Sequence, residues 1–203
     1  MTTNQNDTEE KIKEAAQRIF LEKGYEGTTI RDIAEAAQIN TALTNYYFRS
    51  KEKLFWLVYE SLLKEAIQSV QAILDKPIPM EEKLMGLIDH MFETQAANPN
   101  LSMFLMNECR RDPKSFAEKT GVGCHLLEGG FIQQFQEEVE KGTITNVSAE
   151  HMLPLVFGLI QQIFVGRELH MHLFQVDESE FLTFAREQKR IIKDMLCTYL
   201  FKK

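Results

Sequence analysis

Residues 38–55, QINTALTNYYFRSKEKLF, gather groups suited to making contacts. Thr41 and Ala42 are small, Asn45 carries an amide that donates and accepts at once, and Tyr47 ends in a hydroxyl. Read as a helix, the stretch turns Thr41, Ala42 and Asn45 to one side, because residues three and four apart are neighbours there. Small side chains at the start of such a helix let its backbone enter the major groove of DNA, about 12 Å wide, where Asn45 can pair bidentately with an adenine edge. Tyr47 can reach a phosphate through its hydroxyl, and Lys51, at the start of the next helix, can meet another. Thr29 opens the preceding helix and offers a hydroxyl and a backbone N–H to the same strand, while Arg31, one turn in, suits a guanine or a phosphate. The flanking aromatics have a plainer use: Phe48 reads as core and Tyr46 as packing on the first helix, whereas Tyr47 fits packing or DNA.

Catalytic and metal chemistry find less support. His170 and His172 are two apart and so do not share a helix face, and Cys124 next to His125 makes no ligand spacing. HExxH, a glycine-rich phosphate loop and a nucleophile elbow are all missing, so neither an enzyme nor a bound cofactor or metal is expected.

These groups need a scaffold, and the pattern is helical throughout. Ile12, Ala15, Ala16, Ile19 and Phe20 form one apolar stripe, preceded by Asp7 and Glu10 at capping-box spacing and ended by Gly24. Thr29 with Asp32 caps a second helix, Asn40 a third that runs through Phe48, and Ser50 a long fourth. That fourth helix carries Leu54, Val58 and Leu62 on one side and Trp56, Tyr59 and Leu63 on another, as in a helix sandwiched between layers. Beyond Pro77 and Pro79 come a helix over 80–97, a short Met/Phe-rich one before Asp112-Pro113, and a glycine-weakened pattern over 114–141. Two strong helices close the chain, over 148–170 with Pro154 inside and from Asp177, with Glu180 at capping-box spacing, to about 201. The expectation is an all-α protein.

Three short helices followed by a long one is the plan of a helix-turn-helix module with a helical body. The run from Thr28 to Leu54, TTIRDIAEAAQINTALTNYYFRSKEKL, resembles the DNA-binding domain of TetR-type transcriptional regulators. Its Thr-Thr opening, Arg-Asp-Ile-Ala second helix, Tyr-Tyr-Phe close and Ser-Lys-Glu start of the fourth helix carry the likeness. The resemblance implies a helix-turn-helix DNA-binding domain over residues 1–50 and a helical ligand-binding and dimerisation domain over 51–203. It implies a regulator, a repressor above all, released from a roughly palindromic operator by a small-molecule effector. The chain departs from the family pattern at Gln38, where glycine is usual, at Leu43, often polar, and at Thr44, normally aliphatic. A helical adaptor that binds protein through the same fold is the alternative.

Met91, Phe92, Met103, Phe104 and Met106, with Phe131, Phe135 and Phe157, offer a soft and aromatic lining for an effector, and His125, Gln134 and Gln161 offer polar contacts. The same stripes also serve an ordinary core. The closing helices carry apolar residues on more than one side: Leu155, Leu159, Ile163 and Phe164 on one, Phe181, Phe184, Ile191, Ile192, Met195 and Leu196 on the other. They either bury themselves or pair with a second copy, and the resemblance favours a homodimer through the last two helices.

Bulk properties set outer limits. The chain has 203 residues, a net charge of −7 and 26% charged residues, which argues against a broadly basic nucleic-acid coat but leaves room for a local patch. Residues 1–55 hold 8 Lys/Arg and 9 Asp/Glu, so most of the acidity lies further on. Apolar runs are short and broken by polar residues, the opening MTTNQNDTEEK lacks a basic-then-apolar signal pattern, and three cysteines lack metal spacing. A cytoplasmic protein without membrane contact is expected.

Overall fold

In a computed structural model the residues described are 3–111, 113–120 and 130–201, with the side chains of 3–6, 115, 119 and 120 left aside. They form eleven helices: α1 (Thr3–Lys23), α2 (Ile30–Ala36), α3 (Thr41–Phe48), α4 (Lys51–Leu74), α5 (Met80–Ala97), α6 (Leu101–Arg111), α7 (Pro113–Thr120), α8 (Gly130–Glu140), α9 (Ala149–Val165), α10 (Arg167–Phe174) and α11 (Glu178–Leu200). Among the described residues the only β pairing is one bridge between Ile144 and Phe201. The all-α expectation holds.

Packing divides the chain into two compact units that do not follow chain order. The first takes the chain to Ala66 together with Met103–Phe116; the second takes Ile67–Ser102 and everything from Ala117. The expected boundary near residue 50 is one of role, whereas the packing cut falls inside α4 and gives most of α6 to the first unit.

In the first unit α1 buries Ile12, Ala15, Ala16 and Phe20 of the expected stripe, while Ile19 is half-buried. Gly24 ends it at φ +70°, and the buried Thr28 hydroxyl donates to the Gly24 carbonyl at 2.7 Å, so no polar group there is stranded. Phe20 and Tyr25 meet Phe55 of α4 edge-on, with ring centroids 5.1 and 4.8 Å apart. α4 buries Leu54, Phe55, Val58, Tyr59 and Leu62, and the Tyr59 hydroxyl donates to the Leu105 carbonyl of α6 at 2.6 Å. Asp7 is not a cap: α1 already begins at Thr3, and Asp7 instead pairs with Lys11 at 3.3 Å, one turn on.

Local chemistry fixes the ends of α2, α3 and α4. Thr29 and Asp32 form a full capping box: the Asp32 N–H donates to the Thr29 hydroxyl oxygen at 3.1 Å and the Thr29 N–H to the Asp32 carboxylate at 2.8 Å. The Thr29 hydroxyl also donates to that carboxylate, and Lys23 pairs with it at 3.1 Å. The Leu43 N–H donates to the Asn40 side chain at 2.7 Å, and the Lys53 N–H to the Ser50 hydroxyl at 3.2 Å. Between α2 and α3 the chain turns through Gln38 at φ +58°, the left-handed conformation for which glycine is the usual residue.

The second unit packs α5, α8, α9 and α11 around Leu84, Leu87, Phe92, Phe131, Phe135, Val156, Ile160 and Phe181. Lys189 and Lys193 of α11 both reach Asp89 of α5, at 3.2 and 2.5 Å. Asp177 and Glu180 form the expected capping box of α11. The single helix expected over 148–170 is instead two: α9 stops at Val165, the axis bends by 47°, and α10 continues to Phe174. Gly166 stands at the break, the residue that resists helical ordering most after proline. No single helix among the described residues is long and apolar enough to cross a membrane.

Two outcomes test this scaffold. The Thr29 hydroxyl, the Thr29 N–H and Lys23 hold the Asp32 carboxyl at about 2, below its ordinary value. A depressed carboxyl contributes stability above its unfolded pKa of ~3.9 and loses that contribution as pH falls toward the folded value. In urea unfolding, the stability gap between wild type and Asp32→Asn is therefore open at pH 6 and closes between about pH 4 and 2. Gln38→Gly relieves the left-handed strain and raises stability by roughly 0.5–1 kcal/mol, read as a higher urea midpoint at unchanged slope.

Candidate nucleic-acid interface

α3 has eight residues, and its two faces differ sharply. Thr44 and Phe48 are buried, with the Thr44 hydroxyl donating to the Asn40 carbonyl at 3.4 Å. Thr44 therefore occupies the inward position an aliphatic residue would fill, and its hydroxyl is satisfied within the helix rather than turning it. Leu43 and Tyr47 are half-buried at the flanks. Thr41, Ala42, Asn45, Tyr46 and Arg49 are exposed and follow one another at helical spacing, so they form a single outward face.

Tyr46 is 71% exposed and does not pack on α1; its ring meets that of Tyr47 edge-on at 5.5 Å. Four residues after Ala42 is Tyr46, and four after Asn45 is Arg49, so both belong to the face that Thr41, Ala42 and Asn45 define. The spacing that selected Asn45 could have selected them too.

Thr29 and Arg31 are exposed at the start of α2. The Thr29 hydroxyl and N–H are engaged with Asp32 in the free protein. Lys51 is half-buried: its ammonium donates to the carbonyls of Tyr25 at 2.9 Å and Thr28 at 3.0 Å and sits 4.1 Å over the Tyr25 ring. In this structure it fastens the start of α4 to the α1–α2 connection, and cation–π attraction adds to that tie. Among the basic side chains in and around α3, Arg31, Arg49 and Lys53 are exposed.

The residues expected to line an effector pocket fall into several places. Met91, Phe92, Phe131 and Phe135 are buried together in the core of the second unit. Gln134 lies beside them: it accepts from the ammonium of the buried Lys83 at 2.6 Å and donates to the Ile78 carbonyl at 3.0 Å. Burial lowers the pKa of Lys83, because little water is left to solvate its charge. Phe157 is exposed on α9 and Gln161 is half-buried. Met103, Phe104 and Met106 belong to the first unit, where Phe104 packs on Phe55 and Tyr59 and Met106 is exposed. His125 lies outside the described residues. A cavity of about 290 Å³ opens at α8 and the start of α9; of the expected set, Phe135 lines it, with Ile132, Val139 and Ala149.

Residues 12–56 match the family model of bacterial regulatory proteins, tetR family. Over 142 residues the chain is 28% identical to the probable HTH-type transcriptional regulator YttP of Bacillus subtilis, covering 66% of this chain and 64% of that one. It is 33% identical over 84 residues to the HTH-type transcriptional repressor KstR2 of Mycolicibacterium smegmatis, 41% of each chain. The chain thus spans from about two fifths to just under two thirds of the length of these relatives. Among solved structures, Salmonella enterica GusR shares the fold with a TM-score of 0.62 at 21% identity, over 96% of this chain and 95% of that one. The matched segment runs from the buried stripe of α1 to the first turns of α4 and contains the whole exposed face of α3, and over it the chain is similar to the TetR-type helix-turn-helix regulators.

Proposed function

We propose that the protein is a homodimeric, ligand-responsive transcriptional regulator, acting in the cytoplasm as a repressor that leaves its operator when a small-molecule effector binds. The observation that carries this reading is the outward face of α3, where Thr41, Ala42, Asn45, Tyr46 and Arg49 surround no core and Thr44 and Phe48 anchor the opposite side. Such a helix fits the major groove with Asn45 toward a base edge and Tyr46, Arg49 and Arg31 toward phosphates or guanine. Thr29 and Tyr47 border the same strand. Lys51 comes to a phosphate there only with a donor that its two carbonyl bonds leave over.

Dimerisation is supported by the second unit. Leu155 and Leu159 of α9 and Phe184, Ile191 and Met195 of α11 are exposed while the opposite sides of both helices are buried. Two copies joined through these helices give twofold symmetry, hence a palindromic operator with half-sites roughly 34 Å apart. For the effector, the support is the soft aromatic core of the second unit with the Lys83–Gln134 pair beside it. α4 has residues in both units, so a ligand that favours one position of its second half changes the other.

Selection of bound fragments from a random DNA pool tests the reading: a palindrome emerges, and binding falls steeply with salt. No enrichment would remove the regulator assignment and leave a protein-binding adaptor. On the selected operator, Asn45→Ala is expected to weaken binding at least about tenfold and to relax preference at one position of each half-site, measured by fluorescence anisotropy.

A further inference from the structure

Lys83 is 3% exposed, and its ammonium has three N–H donors for one hydrogen-bond partner among the described residues, the Gln134 side-chain oxygen at 2.6 Å. That partner is neutral, and no carboxylate of a described residue comes within 4.0 Å of the ammonium. Asp75 is exposed and acts on it only through its charge, at longer range. Gln134 in turn donates to the Ile78 carbonyl at 3.0 Å, which holds the pair at the start of α5. This is the positive end of a helix, a poor place for a cation, and its N-cap Pro79 supplies no side-chain oxygen to the free N–H groups. Glu81 and Glu82, which answer the dipole, are exposed. A charge buried in this way needs a partner of opposite sign, and without one burial lowers the pKa of Lys83.

We infer that Lys83 anchors the carboxylate of an apolar organic acid, with Gln134 holding the ammonium in place. This assignment rests on the effector reading above and names its ligand class. A carboxylate supplies what is missing: the opposite charge, acceptors for the two idle N–H groups and a favourable partner for the positive end of α5. A lone ammonium balances one negative charge, so a carboxylate suits it better than a phosphate, which carries about two. An apolar body suits the surroundings. Met80, Leu84 and Leu87, on the turns of α5 next to Lys83, and Phe131 and Phe135, next to Gln134 on α8, are buried in one cluster. Phe135 also lines the cavity of about 290 Å³, close to the lower end of the ~300–1,000 Å³ range of ligand pockets. Space for an apolar body therefore begins one residue from Gln134. The charged residues of that cavity are Glu140 and Glu150, so its lining offers a carboxylate no cation, and Lys83 supplies one.

Calorimetry on the full chain with straight-chain acids from butanoate to dodecanoate, each against the alcohol of equal length, tests the site. At least one acid binds, and at least about tenfold tighter than its alcohol. Lys83→Met keeps a stem of similar length without the charge; it lowers the affinity for that acid at least about tenfold and leaves the affinity for the alcohol unchanged. Hydrogen exchange on the wild type gives a readout that needs no variant: the acid protects the first turns of α5 and α8. Equal affinity for every acid and its alcohol, no acid bound at all, protection confined to other helices, or undiminished acid binding by Lys83→Met each overturns the site. The effector reading stands or falls separately. An acid that binds at Lys83 yet leaves affinity for the selected operator unchanged keeps the site and removes that reading. A non-acid that releases the operator, with no acid bound, keeps the reading and removes the site.

Discussion

An eight-residue helix does not hold itself together in water, and the helix that presents Asn45 has eight residues. Its order is borrowed. Asn40 satisfies a backbone N–H at its start, Thr44 and Phe48 sink its inner side, and the left-handed Gln38 sets the angle at which it enters. Phe55 sits against Phe20 and Tyr25, and Lys51 binds two carbonyls of the α1–α2 connection, so α4 cannot shift without disturbing the loop that starts α2. The exposed face of α3 is therefore as rigid as this small aromatic and polar clamp.

What could be read from the sequence was what is decided within a few residues. Capping by Thr29 with Asp32, Asn40, and Asp177 with Glu180 depends on a side chain reaching a backbone N–H two or three residues on, and each of these caps forms as spaced. Asp7 with Glu10 had the same spacing and does not form, because residues before it extend the helix and leave no free N–H to cap. The bend at Gly166 was less visible, since a lone glycine in a helical pattern is usually tolerated.

The site was legible in part for the same reason. Thr41, Ala42 and Asn45 follow from helical spacing, and they are exposed together. Tyr46 was assigned to packing by its chemistry, although its position one turn after Ala42 sets it outside. Lys51 shows the reverse: its charge suggested a phosphate, but its stem lies where two carbonyls and a ring collect the ammonium first. An effector lining depends on contacts distant in sequence, and the Met and Phe residues that could form one are spread over both units.

The two halves of the proposed function constrain each other through charge. Each helix-turn-helix module turns only a few basic side chains outward, Arg31, Arg49 and Lys53 among them, in a chain of net charge −7. Phosphate neutralisation drives most non-sequence-specific affinity, so a single module of this kind gains little from counterion release. Adding arginines would strengthen it everywhere on the genome and erode the ratio of operator to random sites, which is the quantity that matters. Joining two weakly charged modules escapes this conflict, because the second contact is made at high effective concentration and only where both half-sites are present. The exposed apolar surface of the second unit and the sparse charge around α3 fit one solution: in the proposed dimer, pairing would supply the affinity that the interface with DNA leaves out.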